Sequence, residues 1–425
     1  MRNVRLDMLD PDHPRRVVIV GGGYAGMTLA VTLANRMKPN EGLEIVLVTP
    51  QPFQQALSEL DLVAAGTPRP QWAELWHGAI FRDLPVNVLY DRLECVEADT
   101  NSITVGPKGS PTGRLSYWRL VLATGAVPQV PPIPGLREHA ITLWSVPDAL
   151  ELQDRLNECA RVAAERETGQ ERQRALSTVV VGGGATGVEV VGTIAAVLPP
   201  LFEEMGYDAA DLRTTLVDMR PEILYDLHES QRKKAARRLE EMGVELVLGD
   251  GVAFVEDGIL HTQSGREIPA SVLVWCGGAH ADPDAGDWRL EMEVGGRLKV
   301  DPTLKAAGQE AVYAVGDVAG FPDPDGHGVL PMLAQYAIRE AEHASDNILR
   351  EVRGEAIRPF TPHMHGEFVS VGPKWGVGWI GGVRLSGRIA IVLKRLTYVM
   401  YWLQVGSYRL AWRRFRQMRQ MHRGL

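Results

Sequence analysis

"RRVVIVGGGYAGMTLAVTLANRM", residues 15–37, is the stretch that decides the fold. Val17, Val18, Ile19 and Val20 form an apolar β-branched run, the composition of a strand buried on both faces. The run leads into Gly21-x-Gly23-x-x-Gly26 and then into a helix-like stretch. Each glycine has a physical task. Gly21 permits the tight turn, Gly23 lets backbone approach a pyrophosphate, and Gly26 lets helix and strand pack closely. The helix N-terminus offers free N–H groups and a partial positive charge to the phosphates. A single copy of this pattern is a weak signal, because ordinary turns also carry it.

The chain carries it twice. "STVVVGGGATGVEVVGTIAAVL", residues 177–198, runs through Val179, Val180 and Val181 into Gly182-x-Gly184-x-x-Gly187, 161 residues after the first turn. That spacing suits one dinucleotide domain set inside another. The expected fold class is α/β: two Rossmann-like dinucleotide-binding domains, the second inserted in the first.

In such a unit the second strand ends beside the adenosine ribose. For the second turn that strand is "RTTLVDMRPEIL", which ends in Asp218. A carboxylate there favours the 2′-hydroxyl of NAD over the 2′-phosphate of NADP, although Arg220 follows two residues on. For the first turn the strand is "EIVLVTPQPF" and the position holds Thr49, whose hydroxyl binds a ribose less strongly than a carboxylate does. Both residues are also ordinary strand-end turn formers, so two readings stay open. Two further strands end in turns: one runs into Ala123-Thr124-Gly125, the other into Gly316-Asp317.

The length of 425 residues predicts two or three domains. Cys95, Cys159 and Cys276 are far apart, which argues against structural zinc and against a local redox disulfide; a reducing, intracellular setting fits. The N-terminus lacks the apolar stretch of a signal peptide. His363 and His365 alternate as in a strand or loop, and no metal site is expected.

Charge divides the chain. The whole carries −8, yet residues 368–425 hold 11 Lys and Arg and no acid. Ile389, Leu393, Leu396, Met400 and Leu403 have helical spacing, with Tyr398 and Trp402 behind them. A second helix is expected to set Tyr408, Ala411, Trp412, Phe415 and Met418 on one side, flanked by Arg409, Arg413 and Arg416. This is the pattern of a helix lying in a membrane interface. If about five arginines face anionic lipid, roughly 5 kcal/mol of attraction follows. A dimerisation helix with a solvated basic edge is the other reading; nucleic-acid binding has no other support in the chain.

These stretches resemble the two-dinucleotide flavoproteins, and among them type II NADH:quinone oxidoreductase. The resemblance covers nearly the whole chain. It is carried by "GGGATGVEVVG", "VLVWCGGAHADP", "LPMLAQYAIREAEHASDNI" and "GEFVSVGPKWGVGWIGGVRLSGRIAIVLKRLTYVMYW". It implies an FAD domain at 1–150 and 295–360, an NADH domain at 151–294, and a C-terminal segment at 361–425 made of a strand pair and membrane-contacting helices. FAD would lie on Gly21, Gly23, Gly26, Thr49, Ala123, Thr124, Gly125, Gly316 and Asp317. NADH would lie on Gly182, Gly184, Gly187, Asp218 and Gly277.

The implied reaction passes a hydride from NADH to FAD and two electrons to a membrane quinone, at the cytoplasmic face of the membrane. Glu189 would meet the nicotinamide, unless it is an exposed first-turn acid. The 330–348 stretch would aim a helix N-terminus at the flavin, with Pro331 at its first position. Gln335 would reach the quinone unless it is packed in the protein, and Arg339 would steer the acceptor or pair with Glu342. The chain departs from the family pattern at Thr49, at Arg339, where a second glutamine is usual, and at Gly192-Thr193, where a second acid is common. A sulfide:quinone oxidoreductase shares the architecture but needs a cysteine pair near the flavin. A flavin-binding redox sensor without turnover is the remaining alternative.

Overall fold

The computed structural model describes residues 2–416, apart from 11, 67–69, 108, 167–168, 205, 207, 282–287, 325, 327, 407–410 and 413. Two parallel sheets organise it. The first runs in the order Arg2–Asn3, Val86–Leu89, Glu44–Val48, Arg16–Val20, Arg119–Leu122, Val312–Ala314. The second runs Ala140–Thr142, Val272–Trp275, Ser177–Val181, Arg213–Asp218, Val244–Leu248. Val17, Val18 and Ile19 are fully buried, as are Val179 and Val180 on the matching strand. Each such side chain stabilises the sheet by about 1.5–3 kcal/mol relative to exposure.

The strand Val312–Ala314 returns to the first sheet after the whole second sheet has been built, so the second unit is an insertion. An antiparallel pair, Ala126–Pro128 with Ala279–Ala281, carries the chain across in both directions. The crossing comes earlier than residue 150, because Ala140–Thr142 already pairs with Val272–Trp275. The short helix Leu60–Ala64 of the first unit packs against the Val146–Ala164 helix of the second, with Leu60, Val63, Val146 and Leu152 in one buried cluster.

The C-terminal segment departs from expectation in count. Three antiparallel strands, Gly366–Ser370, Gly376–Ile380 and Val383–Gly387, stand where a pair was expected, followed by the helix Arg388–Val405. This small sheet lies against the Ala185–Glu204 helix. A Cβ on Gly192 would sit 2.6 Å from the Gly372 backbone nitrogen. A side chain of any kind, the acid expected from the resemblance included, has no room at this position. The Ala185–Glu204 helix is long and apolar enough to cross a membrane, but Val188, Val190, Val191 and Ile194 are buried in the protein.

Candidate active site

In each domain a glycine turn leaves its strand where the strand order reverses, the place where open α/β sheets bind ligands. The two turns are built alike. Gly21 has φ +112° and Gly182 has φ +119°. A Cβ on Gly21 would lie 2.1 Å from the Ala123 carbonyl oxygen, and one on Gly182 2.4 Å from that of Cys276. A Cβ on Gly26 would meet the Gly21 oxygen at 1.9 Å, and one on Gly187 the Gly182 oxygen at 1.8 Å. Gly23 and Gly184 face open space, with nothing within 4 Å of a Cβ. Each turn therefore leaves an unfilled hollow at a helix N-terminus, the shape and polarity a pyrophosphate needs.

Ala123-Thr124-Gly125 and Cys276-Gly277 are thus the same part in the two domains, each a strand end pressed beneath a glycine turn. Gly277 has its own reason to be glycine: a Cβ there would strike the Trp275 ring at 2.2 Å. Cys276 packs under Gly187, and burial pushes its thiol up to about 12. Burial pushes Cys159 up to about 11. Neither is a poised redox thiol.

The ribose ends differ. Asp218 accepts from the Gly183 N–H and, at 2.7 Å, from the Arg220 N–H, so its carboxylate sits at the base of the second turn. The Arg220 guanidinium stacks 3.3 Å over the Tyr225 ring. At the first turn Thr49 is buried, its hydroxyl 2.7 Å from where a Gly22 Cβ would be. The Thr124 hydroxyl is buried with no partner among the described residues. Asp317 has no hydrogen-bond partner among them either, and burial raises its pKa against the pull of Arg297. Beside it the Gly316 N–H donates to Glu340 Oε2 at 2.6 Å, and burial pushes Glu340 up to about 8. Unpaired hydroxyl and carboxylate groups around an open glycine hollow fit a flavin dinucleotide in the first domain.

Two of the expected reactive residues are already occupied. Gln335 lies in the first turn of the helix Ala334–Val352, which starts later than Pro331 suggested. Its Nε2 donates to the Gly366 carbonyl at 2.9 Å, and its Oε1 accepts from the His365 N–H at 2.8 Å. It clamps the C-terminal sheet. Arg339 is half-buried and its charge holds His365 below the ordinary imidazole range. Glu342 takes Gln404 as partner at 2.7 Å, in place of the Arg339 pairing expected.

Glu189 is not a free first-turn acid. Its Oε1 accepts from Lys394 Nζ and, at 2.9 Å, from the Ser370 N–H. Lys394 lines a cavity of about 50 Å³ together with Ser58, Glu59, Asp61, Thr193 and Tyr398. Thr193 donates to Asp61 Oδ2 at 2.7 Å. Burial, then repulsion from Glu189, pushes Asp61 up to about 6, while Lys394 and Thr193 oppose the shift. Burial pushes Glu59 up to about 8, against Arg414 and Lys394. Burial disfavours the Lys394 charge, but Glu189, Tyr398 and Asp61 outweigh it and hold the ammonium protonated. Sequence reasoning missed Glu59, Asp61 and Lys394. The one available signal was Lys394 itself, a cation at the buried angle of an apolar helix.

That helix also settles how the tail is placed. Tyr401 packs 4.9 Å from Tyr24, which begins the first glycine-turn helix, and Trp402 packs edge-on to Trp72. Ile389, Val392, Leu396, Met400 and Leu403 form the exposed stripe, with Val392 where Leu393 was expected. Beyond the helix Trp412 is exposed. Arg414 is only 4% exposed and donates to the Trp72 and Glu74 carbonyls, so it is tied to the protein. Tyr408, Arg409, Arg413 and Met418 lie outside the described residues.

Residues 15–341 match the pyridine nucleotide-disulphide oxidoreductase family. The chain belongs to this family. This pyridine nucleotide-disulphide oxidoreductase accordingly binds a flavin and NAD(H). Among its relatives are the type II NADH:quinone oxidoreductases of Staphylococcus epidermidis and Staphylococcus aureus. Each is 26% identical over 406 residues, covering 94% of this chain and 98% of the relative. The fold is that of NDH2 from Plasmodium falciparum, solved in complex with NADH, at a TM-score of 0.84 and 15% identity over 96% of this chain and 98% of that one. The sulfide:quinone oxidoreductase of Aquifex aeolicus is also similar, with a TM-score of 0.75 and 17% identity over 92% of this chain and 91% of that one.

Proposed function

We propose that the chain is a peripheral membrane NADH:quinone oxidoreductase. The observation that carries the reading is the duplicated glycine turn: two turns of the same build in two parallel-sheet domains, one with a carboxylate at its base suited to NADH. Bound FAD would supply the two-electron chemistry between NADH and a quinone. The residues of the chain do the rest. Asp218 selects the ribose 2′-hydroxyl and repels a 2′-phosphate. The hollows at Gly23 and Gly184 position the two pyrophosphates.

Quinone reduction consumes two protons, and Asp61 and Glu59, raised to about 6 and about 8, are two acids near neutrality that line one cavity. A cavity of about 50 Å³ is too small for a quinone ring but has room for water. We read it as a proton compartment, with Lys394 and Glu189 fixing its field. The exposed 389–403 stripe, the Ile380 and Val383 hairpin tip and Trp412 supply the lipid-facing surface, flanked by Arg384 and Arg388. With Arg414 turned inward, apolar contact carries more of the docking than the arginine count suggested.

The sulfide reading is disfavoured by the raised thiols of Cys159 and Cys276. A sensor reading is separated by turnover. The test is NADH oxidation by the purified protein in anionic liposomes, with and without a dissolved quinone. Quinone-dependent turnover is expected; flavin reduction with no quinone-dependent turnover would reject the proposal. Leu396→Asp combined with Met400→Asp should release the protein from those liposomes on sedimentation without bleaching its flavin. Unchanged co-sedimentation would reject the docking face.

A further inference from the structure

The first cradle lacks the carboxylate that the second one has, and a buried imidazole stands beside the gap. Gly22 and Gly183 are equivalent positions, the middle residues of the two turns. A Cβ on Gly183 would meet Asp218 Oδ2 at 3.0 Å and the Ile223 side chain at 3.1 Å. A Cβ on Gly22 would meet Thr49 Oγ1 at 2.7 Å and His77 Cε1 at 3.5 Å. An apolar neighbour at one turn is thus replaced at the other by a ring with two polar nitrogens.

His77 is held firmly. It opens the short helix His77–Ile80, and its N–H donates to the Pro52 carbonyl at 3.0 Å. Its ring lies within 8° of parallel to Tyr90 and packs against Phe81. The residue is wholly buried, and neither Nδ1 nor Nε2 has a partner among the described residues. Burial pushes its pKa down to about 4, so the ring is neutral at physiological pH, with one N–H to donate and one lone pair to accept. Leaving both unmet inside a protein is unfavourable. A ribose diol, which both donates and accepts, is the complementary group.

Resting on the reading that the first cradle holds FAD, we propose that His77, with Thr49, binds the adenosine ribose hydroxyls of that cofactor in place of the missing carboxylate. A neutral pair here and a charged acid at the second turn also give the two sites different electrostatics at otherwise similar cradles.

The experiment follows FAD release from the holoprotein on dilution, read by recovery of flavin fluorescence. His77→Phe keeps a stacked ring and removes both nitrogens. His77→Gln keeps a neutral donor and acceptor. The phenylalanine variant should release FAD roughly tenfold to a hundredfold faster, with glutamine recovering part of the loss. Wild-type protein reconstituted with FAD lacking both adenosine ribose hydroxyls should show a similar acceleration, and the two changes together should add little. This last arm holds even if a variant fails to fold. Release of the deoxygenated cofactor at the wild-type rate, or full additivity with His77→Phe, would overturn the role of His77. Wild-type protein purified without any FAD would instead defeat the reading of the first cradle.

Discussion

At the first glycine turn the strand end supplies Thr49 and a neighbouring segment supplies His77; at the second the strand end supplies Asp218 and the neighbour is Ile223. Beneath these differences the backbones agree. The first glycine of each turn abuts a carbonyl from the adjoining strand end, and the third abuts the first. Close backbone contact fixes the glycines and leaves no latitude. The side chains beside the middle glycines come from other segments of the chain, so they are free to differ between the two turns.

The comparison breaks most sharply at the third glycines. Gly26→Ala puts a methyl group into the Gly21 carbonyl and should yield protein without flavin colour. Gly187→Ala does the same to Gly182 and should leave a yellow protein that NADH no longer bleaches. Loss of flavin from both, seen in their visible spectra, would show that the turns do not divide the cofactors. A smaller effect is expected at the ribose end. Asp218→Ser removes a charged hydrogen-bond acceptor and should lower the NADH over NADPH ratio of kcat/KM by about tenfold or more. An unchanged ratio would take Asp218 out of recognition.

The smallest effect concerns the acids between the domains. The Glu59 carboxyl titrates at about 8 in the folded protein and at 4.5 ordinarily. Between those values the folded state keeps a proton that the unfolded state has lost. Stability therefore falls as pH rises from 4.5 to 8, and the penalty is complete above 8. Glu59→Gln should raise the Tm by roughly 1–3 °C at pH 8.5 and leave it nearly unchanged at pH 4.5. A gain that does not depend on pH would mean that Glu59 is ionised throughout.

Those three expectations track what was legible in the sequence. The glycine turns could be read directly, because the positions of Gly21, Gly26, Gly182 and Gly187 follow from local backbone geometry. Asp218 was legible through its place at a strand end. The insertion of one domain in the other followed from the spacing of the turns, but the crossing point did not, since the pairing of Ala140–Thr142 with Val272–Trp275 depends on contacts far apart in the chain. Side chains that act through space left little trace. Gln335 has the polarity of an acceptor ligand, yet its amide nitrogen bonds Gly366 and its amide oxygen bonds His365. Glu189 points at Lys394, two hundred and five residues away. His77 carries no motif, and only its burial beside Gly22 with two unmet nitrogens draws notice. The tail was legible as an apolar helix followed by basic residues. Nothing in its pattern distinguished Arg414, bound to backbone carbonyls, from arginines free to meet lipid.

For the proposed function to hold, the two cradles must face each other closely enough for electrons to pass between their nucleotides. Anaerobic stopped-flow mixing of the purified protein with NADH tests it most directly. Rapid bleaching of bound flavin by stoichiometric NADH, reversed on adding a quinone, is the predicted result. Bound flavin whose absorbance does not respond to NADH would contradict the account.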